Sequence, residues 1–282
     1  MDKGGTIQVL DRGRILAELG PMRLVIQGCI GQVPQMADCI RAAKESFSYL
    51  TRIALHRKAL RLPCYMLEGH PGDPLVRCMI DAVGMVDPHE LTPMAAVAGT
   101  ISEYVAHFLV SRGMTRVVVN NGGDIAIFLA PGNRVRMAVV NGDNGSSSCL
   151  FLNLESSQPS WGIATSGLGG RSLTRGVATA VTVLAQGAAI ADAAATAVAN
   201  ASFVEDQGVE QAAAASLDPD TDIPDKLVTV RAQLAFKKKE EALEKALAKA
   251  SSLLEDEVIL GAYVNVQGID DSVGLWEELI EK

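Results

Sequence analysis

From Gly176 to Ala201 the chain is dominated by Ala, Val and Thr, and this stretch constrains the fold more than any other. A membrane span needs about 20 strongly apolar residues. Here Gln186 and Asp192 interrupt, and Ala and Gly carry little transfer free energy. The better reading is a buried strand, Ala178–Leu184, followed by a small-residue buried helix, Ala188–Ala201. The remaining composition agrees: 48% of residues are apolar but only 4% aromatic, so Ala, Val, Leu and Ile must pack the core. A chain of 282 residues buries enough surface to do this without disulfides or a structural metal. No linker rich in Gly, Ser or Pro divides it, which predicts one domain over residues 1–282.

The net charge of −8 argues against a nucleic-acid partner, which would demand a basic surface. Five cysteines, an odd number without CxxC spacing, read as reduced thiols filling core positions. The segment Met1–Leu10 is polar and lacks the pattern of a secretory leader, so the expected location is cytoplasmic, away from membranes.

Periodicity predicts the elements. Ile15–Gln27 reads as two short strands around a Gly-Pro turn. Met36, Ile40, Ala43, Phe47, Leu50 and Ala54 mark the buried stripe of a long helix. A shorter helix covers Leu75–Val83. Thr92 is a candidate cap for a helix running to Val110, with Pro93 in its first turn. Strands follow at Arg116–Asn120, Ile125–Leu129, Val135–Val140, Cys149–Leu154 and Gly162–Thr165. Val204–Val230 is the least regular stretch. Phe236–Leu254 reads as an amphipathic helix with Leu243, Leu247 and Leu254 on one face, and Glu257–Val266 as a terminal strand. The order implies an α+β sandwich of antiparallel strands with packed helices.

Three segments could carry chemistry. In VNNGGDI, Asn121, Gly122, Gly123 and Asp124 form either an ordinary hairpin tip or a bare backbone turn that meets a ligand. In GIATSGLGGRS, Thr165 and Ser166 supply hydroxyls, Gly167, Gly169 and Gly170 supply amides, and Arg171 supplies charge. That is either an anion cradle or a surface loop. In ADAAATAVAN, Asp192 and Thr196 are one helical turn apart, with Cβ atoms about 5–6 Å from each other. They are either two hard-oxygen ligands for Mg²⁺ or, for Asp192, a helix cap. The acidic run DPDTDIPD fails the EF-hand pattern and reads as a solvated turn. The four histidines have no metal spacing, and Ser166 lacks the GxSxG context of a hydrolase nucleophile.

Taken in order, VNNGGDI, ATSG and ADAAATA resemble the ApbE-like superfamily, Mg²⁺-dependent enzymes that move FMN from FAD onto a protein threonine. The resemblance extends through MRLVIQG, TPMAAVAGTISEYV, ATAVTVLA and GAYVNVQG to a compact cytosolic branch of unassigned function. It implies the ApbE-like sandwich, with Asp192 and Thr196 as side-chain metal ligands. It also implies a flavin (FAD or FMN) or another phosphate-bearing small molecule against Asn121–Asp124 and Thr165–Arg171. A homodimer is compatible with it. The segment Met94–Val105 is similar in position to the family's GGIAKG helix, but its Lys is replaced. The HxxDP segment after TSG is missing, and Thr179 stands where the nearer branch has an acid. Three functions follow as expectations: a metal-assisted enzyme, a non-catalytic flavin or metabolite binder, and an interaction protein whose site is a relic.

Overall fold

The computed structural model describes residues 4–67, 69, 71–140, 149–170 and 172–279. Strands β1 (Thr6–Val9), β2 (Ile15–Leu19), β3 (Met22–Ile30) and β4 (Val33–Pro34) precede helices α1 (Met36–Leu55), α2 (Pro74–Val86) and α3 (Val97–Ser111). Strands β5 (Arg116–Asn121), β6 (Asp124–Leu129), β7 (Arg134–Val140), β8 (Cys149–Glu155), β9 (Ser160–Ser166) and β10 (Ala180–Ala185) follow. Next come α4 (Ala188–Ala201), β11 (Val209–Ala213), α5 (Ala214–Leu217) and β12 (Leu227–Ala232). The chain closes with α6 (Phe236–Glu255), β13 (Gly261–Val266), β14 (Ile269–Gly274) and α7 (Trp276–Leu279).

One antiparallel sheet collects β1-β2-β3-β5-β6-β9-β10-β13-β14 in that order, with β4 paired to β3. β7–β8 and β11–β12 form separate two-stranded ribbons. The period-two alternation of strands sends side chains to two different cores. Val117, Val119, Ala126, Ala164, Val181, Val183, Ala262 and Val264 face the helices. Ile125, Ile127, Leu129, Trp161, Ile163, Leu184 and Tyr263 face the β7–β8 ribbon and Trp276 of α7. Tyr263 and Trp276 stack with ring centroids 5.6 Å apart.

The helix-side face is built from small residues, and this sets how closely the helices lie. A Cβ placed on Gly162 would stand 2.2 Å from the Gly187 carbonyl oxygen, so α4 reaches β9 at backbone contact. The stretch Pro93–Ser111 is long and apolar enough to cross a membrane; here its α3 portion buries Ile101, Val105 and Leu109 in the helix-side core.

Close packing shifts the buried face of one helix and deepens that of another. In α1 the buried positions are Cys39, Ala42, Ala43, Ser46, Tyr49 and Ile53, while Met36 and Ala54 are exposed. In α6 Ala242, Ala246 and Ala250 are fully buried, and Leu243, Leu247 and Leu254 only partly so. The alanines sit deepest because the helix axes come too near the sheet for larger side chains. Other expectations shift as well. Thr92 makes no cap bond and its hydroxyl instead donates to Asp222, while a 3-10 turn at Pro93–Ala96 leads into α3. The irregular stretch 204–230 holds β11, α5 and the start of β12, and β14 continues the sheet beyond Val266.

Candidate functional site

The turn between β5 and β6 is tight because Asn121 pairs directly with Asp124. Gly122 at φ +70° and Gly123 at φ +124° adopt the left-handed backbone that only glycine takes without strain. The Asn120 Oδ1 accepts from the Gly123 amide at 2.9 Å. Asn121 is buried and ties three elements together. Its Nδ2 donates to the Ala98 carbonyl at 3.3 Å, and its Oδ1 accepts from the Arg23 amide at 3.2 Å. The Ser102 hydroxyl donates to the Asp124 carbonyl at 2.8 Å. The turn is therefore clamped to the first turns of α3.

Asp192 meets the same helix start. The Gly99 amide donates to Asp192 Oδ2 at 2.9 Å. A Cβ on Gly99 would lie 2.1 Å from the Ala188 carbonyl oxygen and 2.8 Å from Asp192 Cβ, so glycine alone permits this approach. Part of Asp192 reaches solvent, but protein surrounds its carboxyl closely. Burial, and then the charge of Asp124, push the Asp192 carboxyl well above the usual carboxylate range. The Gly99 and Ala98 amides oppose that push. The charge of Asp124 thus acts on a carboxyl held at the N-terminus of α3.

Asp192 does not cap α4, because the helix begins one turn earlier at Ala188. Glu103 of α3 takes that role, its Oε2 accepting from the Ala189 amide at 3.1 Å. Thr196 follows Asp192 by one turn, and Asn200 follows Thr196. All three are half-buried in a helix that is otherwise mostly buried. The Asn200 Oδ1 accepts from the Arg175 amide at 2.9 Å, so the segment after the second glycine loop crosses this helix near its C-terminal end.

The second loop differs from the anion cradle read from sequence. Gly169 and Gly170 do not offer their amides outward: they donate to the Thr179 and Gly167 carbonyls, each at 3.0 Å. Gly167, at φ +137°, is pressed against Thr179, whose carbonyl oxygen would stand 2.7 Å from an added Cβ. Arg171 lies outside the described residues. What this loop keeps is hydroxyls. The exposed Thr165 Oγ1 is 2.9 Å from Thr182 Oγ1, and half-buried Ser166 pairs with Val181. Because Ile125 of β6 pairs with Ile163 of β9, Asp124 and Thr165 emerge at the same end of the sheet.

Gly99, Ser102 and Glu103 enter the sequence reading only as part of Met94–Val105, the segment similar in position to the family's GGIAKG helix, and their individual roles have no local signal. Among the described residues no group of three or more His, Cys, Asp or Glu gathers to hold a metal. A cavity of about 780 Å³ opens elsewhere, and one of about 340 Å³ is lined in part by Glu103, Gly187 and Ala189 at the start of α4.

Residues 7–274 match the AbpE family of bacteria. A UPF0280 protein of Methanococcus maripaludis is 33% identical over 156 residues, 53% of this chain and 62% of that protein. A UPF0280 protein of Methanothermobacter thermautotrophicus is 37% identical over 111 residues, 39% of this chain and 43% of that protein. The match thus spans less than two thirds of either relative. The apo flavinyl transferase ApbE of Pseudomonas stutzeri superposes with a TM-score of 0.55 at 13% identity, covering 99% of this chain and 98% of that one. The ApbE protein of Thermotoga maritima gives 0.54 at 10% identity, covering 99% of each. Likeness at these identities establishes a shared fold.

Proposed function

The chain belongs to the AbpE family of bacteria, and from that premise we propose that it holds a hard divalent cation and a phosphate-bearing flavin at the α3–α4–β6 junction. The observation that carries this reading is the Asp192 carboxyl held by the Gly99 amide at the start of α3, beside the β5–β6 turn that Asn121 and Ser102 clamp to the same helix. The donor set fits Mg²⁺: carboxylate oxygens at Asp192 and Asp124, a hydroxyl at Thr196, and room in an octahedron for carbonyl, water or phosphate oxygens. When bound, the cation would neutralise phosphate charge. Asn121 and Gly99 hold the turn and the carboxylate in place, and Thr165 and Ser166 offer hydroxyls to an anion. We read the protein as a single-domain cytoplasmic binder of a small molecule. Burial pushes the Cys39 and Cys64 thiols up to about 11 and Cys78 up to about 12, which makes them unreactive packing groups.

Transfer of FMN is the first reading of the activity, and binding without transfer is the second. The second is favoured because α3 carries no Lys or Arg, and the residues nearest the turn are the neutral Ala98, Gly99 and Ser102. Incubation with FAD, Mg²⁺ and a threonine-containing acceptor distinguishes them. Acceptor mass increased by one covalent FMN means transferase. Saturable FAD fluorescence quenching without a mass change means binder. Absence of both overturns the proposal.

A further inference from the structure

A groove opens in the helix layer where α2 lies beside the start of α4. On α2, Leu75, Val76, Met79, Val83 and Val86 turn into the core. Arg77, Asp81 and Met85, each one helical turn apart, run along another face and line a cavity of about 340 Å³ together with Cys78. The opposite wall is Glu103 and Tyr104 of α3 with Gly187, Ala189 and Ile190. The volume is at the lower end of small-molecule sites. Cys78, Tyr104 and Ile190 are half-buried, whereas Arg77 and Asp81 are exposed at the rim.

Charges of both signs border this apolar wall, and they do not neutralise one another. Glu103 Oε2 accepts from the Ala189 amide at 3.1 Å, while its Oε1 has no hydrogen bond among the described residues. The Arg77 guanidinium and the Asp81 carboxylate make no hydrogen bond or ion pair among the described residues, although one turn separates them. A base four residues ahead of an acid is the weaker order for such a pair on a helix. Burial, and then the charges of Glu103 and, more weakly, of Asp81, raise the Cys78 thiol to about 12, so both carboxylates act on the same part of the wall.

We infer that this groove binds a small zwitterion with an apolar body, of the α-amino-acid class. The ammonium group meets Asp81 and the free oxygen of Glu103, the carboxylate meets Arg77, and the apolar side chain covers Cys78, Met85 and Ile190. A plain amine would leave Arg77 without a partner, and a plain acid would leave both carboxylates so; a ligand with both charges satisfies each wall. The site is separate from the proposed cation site, since none of Gly99, Asn121, Asp124, Asp192 and Thr196 lines the groove.

Calorimetry in EDTA tests the inference with three probes that share a phenyl body: L-phenylalanine with both charges, phenethylamine with the amine alone, and hydrocinnamate with the carboxylate alone. Chelation removes any cation-assisted binding. Saturable one-to-one binding of L-phenylalanine is expected, with each single-charge probe about tenfold weaker. Arg77→Gln should weaken L-phenylalanine about tenfold and leave phenethylamine no weaker, while Asp81→Asn should weaken both. Asp192→Asn and the exposed control Lys44→Gln should change neither. Arg77 and Asp81 are exposed, so both variants should fold as the parent does, with circular dichroism as the check. Absence of saturable L-phenylalanine binding would overturn the inference. So would equal affinity for L-phenylalanine and phenethylamine, or parental affinity in both R77Q and D81N, since the groove would then be an apolar surface without charge recognition.

Discussion

The two faces of the central sheet solve opposite problems. The ribbon side is filled by bulk: Ile127, Trp161, Leu184, Tyr263 and Trp276 interlock there. The helix side is filled by closeness: Gly162, Ala126 and Ala164 let α3 and α4 come down to backbone contact. Bulk stabilises but brings no polar groups together. Closeness carries the Gly99 amide, the Asp192 carboxyl and the Asn121–Asp124 turn into one another's reach. Stability and site are therefore built largely on different faces, and substitutions should separate them.

The largest effect is expected on the ribbon side. Trp161→Ala removes a buried indole and its hydrogen bond to the Glu155 carbonyl. It should cost about 3–5 kcal/mol in urea denaturation, while cation affinity in the folded fraction stays that of the parent. Gly99→Ala should cost less, about 1–3 kcal/mol as overpacking, yet it should also abolish cation binding because the added Cβ displaces Ala188 and Asp192. If W161A lost cation binding while G99A kept it, the division between the faces would be wrong.

A third substitution probes stability away from both faces. Asp73 caps α2 by accepting from the Leu75 amide at 2.9 Å and forms a two-point pair with Arg52. Asp73→Ala should cost about 1–2 kcal/mol at neutral pH. Hydrogen bonds from Arg52 hold the Asp73 carboxyl below its ordinary value. Its contribution is then fully present above about pH 4, and is lost as pH falls through the lowered folded value. Parent and D73A stabilities should converge in acid. A gap that persists at low pH would show that the loss comes from packing.

Much of this contrast was legible in the sequence, because strand alternation and small-residue clustering are local properties. VNNGGDI gave its turn through two adjacent glycines, and the Ala-rich run gave its buried strand and helix. The stripe of α1 was off by part of a turn, with Met36 and Ala54 exposed and Ala42, Tyr49 and Ile53 buried; in α6 the leucine face packs on the core, but periodicity of large side chains did not mark Ala242, Ala246 and Ala250, which lie deepest. The site was half legible. Asp192 stood out as a carboxylate in an apolar run, and Asn121 and Asp124 stood out in their turn. Gly99 and Ser102 did not, since their importance lies in what crosses them from α4 and from the β5–β6 turn. The Gly169 and Gly170 amides were misjudged for a similar reason: whether an amide faces outward depends on the carbonyls that fold against it, here those of Thr179 and Gly167.

The smallest stability effect and the sharpest functional one should come from Asp192→Asn. An asparagine keeps an oxygen for the Gly99 amide and removes one member of the carboxylate pair, so the fold should persist with little change in Tm. Titration of Mg²⁺ into the parent and into D192N by calorimetry is therefore the most direct test. One saturable site is expected in the parent, about tenfold weaker in Thr196→Ala and undetectable in D192N. Equal Mg²⁺ affinity in parent and D192N would contradict the proposed cation site.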